Sequence, residues 1–130
     1  MGILEYTKTI HIMTEKQVKL AACTILSQLG NPIIEFLQVN HKKGRVGTIV
    51  HTEDPYIELC IEKENPKEIR YIMIILNVAL DLYRLRASKD TGENFHCNED
   101  QAMENIYNDN LGTAIEQLTG LELPEQPFID

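Results

Sequence analysis

The stretch from Ile69 to Leu85 constrains this chain more than any other. Ile69, Tyr71, Ile72, Met73, Ile74, Ile75, Leu76, Val78, Ala79, Leu80, Leu82, Tyr83 and Leu85 follow closely, and only Asn77 and Asp81 interrupt between Tyr71 and Tyr83. An amphipathic helix would leave half of such a span polar. A helix here is apolar nearly all round and must be covered on more than one side. Asn65-Pro66 ahead of it reads as a helix start, with Pro tolerated in the first turn and Glu68 suited to the positive end. The expectation is a central hydrophobic helix, covered by a sheet and by other helices or a second copy of the chain, hence a homo-oligomer. Within it, Asn77 reads as a hydrogen-bond hub or a pocket residue, with Asp81, Arg70 and Arg84 on the same element.

The remaining elements follow from periodicity. Leu4–Ile12 alternates β-branched and polar residues and reads as a strand. Thr14 and Gln17 form a capping box, after which Val18, Ala21, Ala22, Ile25, Leu26 and Leu29 recur at helical spacing until Gly30-Asn31-Pro32 stops them. Ile33–Val39 and Val46–Val50 flank the turn His41-Lys42-Lys43-Gly44 and read as a hairpin. Asp54-Pro55 is a further turn, and Tyr56–Glu62 alternates with Ile57, Leu59 and Ile61 inward. Asn98 with Gln101 repeats the capping pattern, and Met103, Ile106, Tyr107, Leu111, Ala114, Ile115 and Leu118 make the stripe of a last helix ending at Thr119-Gly120. Gly112 inside it marks a close approach to another element. The fold class is α+β: a small, mostly antiparallel sheet of about four strands packed against the central hydrophobic helix and two amphipathic ones. One domain spans 1–130, with sheet and first helix over 1–62, a helical hairpin over 66–120 and an extended tail over 121–130.

A chain of 130 residues buries roughly two thirds of the surface its unfolded form exposes, so it needs neither metal nor disulfide to fold. Cys23, Cys60 and Cys97 form no metal-type pair and no disulfide framework, which fits a reducing cytoplasm. No apolar stretch reaches the ~18 residues that span a bilayer, and no secretory signal pattern opens the sequence. The charge is uneven. Residues 1–85 carry ten Lys/Arg against ten Asp/Glu, whereas residues 86–130 carry two against ten, so the whole formal charge of -8 sits in the last third. Such a field opposes duplex nucleic acid and membrane surfaces and steers a basic partner.

Phosphate-cradling glycine patterns, HExxH, CxxC and GxSxG are all absent, so the sequence points away from catalysis and calls for no cofactor. Four partial constellations remain. Glu99, Asp100, Glu104 and Asp109, on and beside the last helix, form the expected contact for a basic protein partner. The basic turn Lys42, Lys43 and Arg45, or alternatively Arg84 and Arg86, is the expected grip for a small phosphorylated ligand. His96-Cys97, flanked by Glu93, Glu99 and Asp100, carries the donor types of a zinc or thiol site without a second pair at metal spacing, so no metal is assigned. His11 and His51 read as ordinary strand residues.

The order of a long apolar run, the polar loop SKDTGENFHCNED and the helix start NEDQAMENI resembles the helical hairpin of the phage anti-CBASS and anti-Thoeris proteins that sequester cyclic-nucleotide signals. The resemblance covers about the last 60 residues. It implies symmetric assembly and phosphate binding by basic side chains. The second helix of the hairpin holds no Lys or Arg, which leaves Arg84, Arg86 and Lys89 for that role. The expected function is therefore a small acidic binding protein of the accessory or inhibitor type. The alternative is a binder that sequesters a phosphorylated or cyclic nucleotide, and a metal-dependent enzyme at His96 and Cys97 ranks third.

Overall fold

Residues 13–90, 97–98 and 101–124 are described by a computed structural model. Helices α1 (Glu15–Leu29) and α2 (Asn31–Phe36) precede five strands: β1 (Arg45–Thr48), β2 (Pro55–Cys60), β3 (Tyr71–Asn77), β4 (Leu82–Ser88) and β5 (Ala102–Ile106). A 3₁₀ turn at Asn108–Asn110 then leads into α3 (Leu111–Thr119). Each strand pairs antiparallel with the next, in the order β1-β2-β3-β4-β5. The class is α+β as expected, with five strands among the described residues instead of about four. The expected strand at Leu4–Ile12, with His11, lies outside the described residues. So do Glu93, His96, Glu99, Asp100 and the tail from Glu125.

The apolar run is a hairpin and not a helix. Asn65 prevents the helix from starting, because its side-chain oxygen accepts the Ile69 N–H at 2.8 Å, the bond that its own carbonyl would take in a helix. Its amide group donates to the carbonyls of Ile69 and Lys63 at 2.8 and 3.0 Å. Glu68 then sits at φ 58°, a left-handed conformation that no helix interior accommodates. The two polar interruptions make the turn. The Asn77 side chain accepts from Leu80 N–H at 3.1 Å, and Asp81, at φ 55°, donates its N–H to the Asn77 carbonyl at 2.8 Å. Asn77 is thus a turn former, not a hub in a helix. Both alternations of the run are apolar because β3 is the central strand, with Ile72 and Ile74 buried on one face and Ile75 on the other. Self-association was inferred from a helix apolar all round. With a strand hairpin in place of that helix, the inference loses its premise.

Three further expectations change. Ile33–Val39 is no strand: Pro32 opens α2 directly after α1, burying Ile33, Ile34 and Leu37, and Val39 keeps one bridge to Ile61. The hairpin is instead β1–β2, and His51 lies in its turn, exposed. Asn98 N–H does bond to the Gln101 side chain at 3.1 Å, yet β5 follows and the helix begins only at Leu111, so 66–120 is not a helical hairpin. The Thr14–Gln17 capping box forms with both bonds, at 3.2 and 2.8 Å. Gly112 does mark a close approach, since a Cβ there would lie 3.3 Å from Ile33 Cδ1.

All three helices pack on one face of the sheet. A single core joins Ala22, Ile25 and Leu29 of α1 and Ala114, Ile115 and Leu118 of α3 to Ile57, Leu59, Ile72, Ile74, Tyr83 and Leu85 of the strands. Leu121 and Leu123 cover its rim, and the Leu123 N–H donates to Glu116 Oε2 at 2.9 Å. Buried Tyr83 donates its hydroxyl to Gln28 of α1, and burial pushes its phenol up to about 12.

Two outcomes follow. Ile74→Ala should lower unfolding stability in urea by about 2–5 kcal/mol, while Val78→Ala, in the exposed turn, should change it by less than about 0.5 kcal/mol; equal effects would contradict the hairpin. The unfolded chain releases the Tyr83 proton before the folded one does, so stability falls as pH rises from 10 to 12. The gap between wild type and Tyr83→Phe should shrink by up to about 2–3 kcal/mol across that window.

Candidate ligand-binding face

Opposite the helices, the sheet presents two aligned rows of side chains. Arg45, Glu58, Met73, Arg86 and Ala102 lie side by side across the five strands, and Gly47, Tyr56, Ile75 and Arg84 form the neighbouring row. The missing side chain of Gly47 seats Tyr56: a Cβ there would fall 3.0 Å from the phenol oxygen and 3.1 Å from ring carbons. The face is not a bare polar surface. Glu58, Cys60 and Ile75 are buried on it.

The candidate cations divide by what they already hold. Arg45 Nη2 donates to Glu58 Oε2 at 2.6 Å, and Glu58 is 0% exposed. This hydrogen bond raises the Arg45 guanidinium above its ordinary value. A charge-assisted bond to a buried carboxylate makes Arg45 a structural cation. Lys42 and Lys43 are exposed in the turn after Asn40, whose side chain accepts the Lys42 N–H at 3.0 Å; neither lines a cavity with Arg45. Arg84 and Arg86 are different. They project from the same face of β4, two residues and hence about 7 Å apart, and line one cavity of about 250 Å³ with Ile49, Met73 and Ile75. Arg86 is exposed and has no ion pair among the described residues. Arg84 lies 3.7 Å from Asp54 Oδ2, beyond hydrogen-bond reach, and its Nη2 is buried without an acceptor.

Of the expected acidic contact, Glu99 and Asp100 lie outside the described residues, and Glu104 and Asp109 line different cavities. Glu104 is exposed on β5 and lines a cleft of about 240 Å³ with Asp54 and Arg84. Asp109, exposed in the 3₁₀ turn, borders a cavity of about 470 Å³ with Glu116 and Glu122. Glu116 is held by its bond to the Leu123 N–H. Cys97 donates its thiol to the Gln101 carbonyl at 3.0 Å. Among the described residues, no group of three or more His, Cys, Asp or Glu could hold a metal ion, and no helix is long and apolar enough to cross a membrane.

Sequence reasoning named Arg84 and Arg86 but missed the Met73–Ile75 floor, which it placed inside a helix. The signal was present in Tyr83-Arg84-Leu85-Arg86-Ala87, which alternates apolar and basic at period two. Compared with protein-family models, curated proteins and solved structures, the chain finds no match in any of the three.

The two kinds of arginine should separate in stability. Arg45→Ala strips the buried Glu58 carboxylate of a charged donor and should cost about 1.5–3 kcal/mol in urea unfolding. Arg86→Ala should change stability by less than about 0.5 kcal/mol. A loss for Arg86 as large as for Arg45 would make both structural.

Proposed function

We propose that the protein acts by binding, holding a small phosphorylated ligand on the helix-free face of its sheet. The observation that carries this reading is the Arg84–Arg86 pair. Two guanidiniums share one face of one strand above an apolar floor, and neither donates a hydrogen bond to a described residue. A guanidinium presents a fork of donors that fits phosphate oxygens two at a time. Two of them about 7 Å apart suit one phosphate bridged between them or the ends of a diphosphate. The Met73 and Ile75 side chains line the cavity beneath, and an apolar floor strengthens a charged bond made above it. The lining of this cavity holds no Asp or Glu; Asp54, 3.7 Å from Arg84, is the carboxylate at close range to the pair, and Arg86 has none as an ion-pair partner among the described residues.

A second reading keeps the acidic third as the contact for a basic protein partner. Its support is the cavity between α1 and α3, where Asp109, Glu116 and Glu122 meet no Lys or Arg in the lining.

Calorimetry of the full chain at low salt separates the two. Inorganic phosphate, pyrophosphate and a panel of linear and cyclic nucleotides should give a binding heat with at least one member. Arg86→Ala should weaken that affinity at least tenfold, the loss of one charge-assisted hydrogen bond, and Lys42→Ala should leave it unchanged. No heat with any member, or equal affinity for the Arg86→Ala protein, would end the phosphate reading and leave the acidic one.

A further inference from the structure

Arg84 is a wall of two cavities, not one. Beyond it from the Arg86 side lies the cleft of about 240 Å³ bordered by Thr52, Asp54, Asn77, Glu104 and Asn105. A small-molecule site commonly needs ~300–1,000 Å³. Neither cleft reaches that volume alone, so a ligand of ordinary size held on Arg84 would have to use both sides of that side chain.

The second cleft is built by a β-bulge. Tyr83 pairs with Ile106 and Leu85 with Met103, so Glu104 and Asn105 together oppose the single residue Arg84. In a regular strand these neighbours would point to opposite faces. Asn105 at φ 57° breaks that alternation, and both residues line the cleft.

The groups gathered there ask for a particular chemistry. The carboxylates of Asp54 and Glu104 are acceptors, so they repel a phosphate and require donors. Arg84, 3.7 Å from Asp54, opposes an ammonium group at the same place but not a neutral donor. The Asn77 side-chain oxygen is engaged by Leu80 N–H, which leaves its NH₂ to donate, and Asn105 supplies a second amide. Carboxylate acceptors beside amide donors match hydroxyl groups, which donate and accept at once.

We infer that this cleft takes the hydroxyls of a sugar whose phosphate lies on Arg84 and Arg86, so the ligand class is a sugar phosphate with free neighbouring hydroxyls. The inference rests on the phosphate reading above, and the test keeps the two apart. Calorimetry would compare inorganic phosphate, ribose 5-phosphate and 2-deoxyribose 5-phosphate on the full chain. Ribose 5-phosphate should bind at least tenfold more tightly than inorganic phosphate, and the deoxy sugar should lose most of that gain. Glu104→Ala and Asn105→Gly should remove the gain without weakening inorganic phosphate binding, which the loss of the Glu104 charge can only favour, and glycine keeps the left-handed backbone at 105 accessible. Equal affinity for the two sugars, or a gain that survives both substitutions, overturns the hydroxyl site. If Arg86→Ala still weakens inorganic phosphate binding in that case, the arginine site stands without it. Absence of binding by all three probes overturns both.

Discussion

The burial of β3 on both faces is the constraint on which the rest of this structure depends. A strand at the centre of a sheet has hydrogen-bonded neighbours on both sides and covered surfaces above and below, so it tolerates an unbroken apolar sequence. Ile72 and Ile74 face the helices, and Ile75 faces away from them. The reversal at Asn77–Asp81 fixes the register of β3 against β4. That register aligns Arg86 with Met73 and Arg84 with Ile75. A slip of one residue would carry both arginines into the core face.

The second organising element is the Arg45–Glu58 pair. A carboxylate at 0% exposure is unfavourable to bury unless it is fully bonded, and removing one partner costs more than the pair contributes. The bond ties the edge strand to β2 across the helix-free face. It also engages Nη2 of Arg45, a hold that neither Arg84 nor Arg86 has on a described residue. What remains on that face is a divided surface: a paired end where exposed Arg45 covers buried Glu58, and a cationic end on β4.

The site at that open end depends on irregularity. Glu53, Asp81 and Asn105 all adopt left-handed conformations that cost a non-glycine residue of order 1 kcal/mol or more. Glu53 lies in the β1–β2 turn beside Asp54, and Asp81 closes the turn that sends β4 back. Asn105 forms the bulge. Their three segments converge on the cleft around Arg84, so three of the five described non-glycine residues at positive φ, Gln38 and Glu68 being the others, belong to segments that build the proposed ligand site.

The sequence by itself determined what depends on neighbours within one turn of chain. The Thr14–Gln17 capping box, the stop at Gly30, the inward Ile57, Leu59 and Ile61, and the end of the last helix at Thr119-Gly120 were all legible, because each is set by local hydrogen bonds or by a clean period. The class, α+β with an antiparallel sheet, followed from those pieces. Tertiary structure decided the rest. An apolar run buried on both sides carries no period that distinguishes a strand from a helix; the Asn65 and Asn77 side-chain bonds are local, but pairing with β2 and β5 on either flank is what made 71–88 a hairpin inside a sheet. Likewise Arg45, Arg84 and Arg86 read as equivalent cations in one dimension. Glu58, Asp54 and the bulge at Glu104–Asn105 set them apart, because pairing, burial and a shared cleft arise only when distant strands lie side by side.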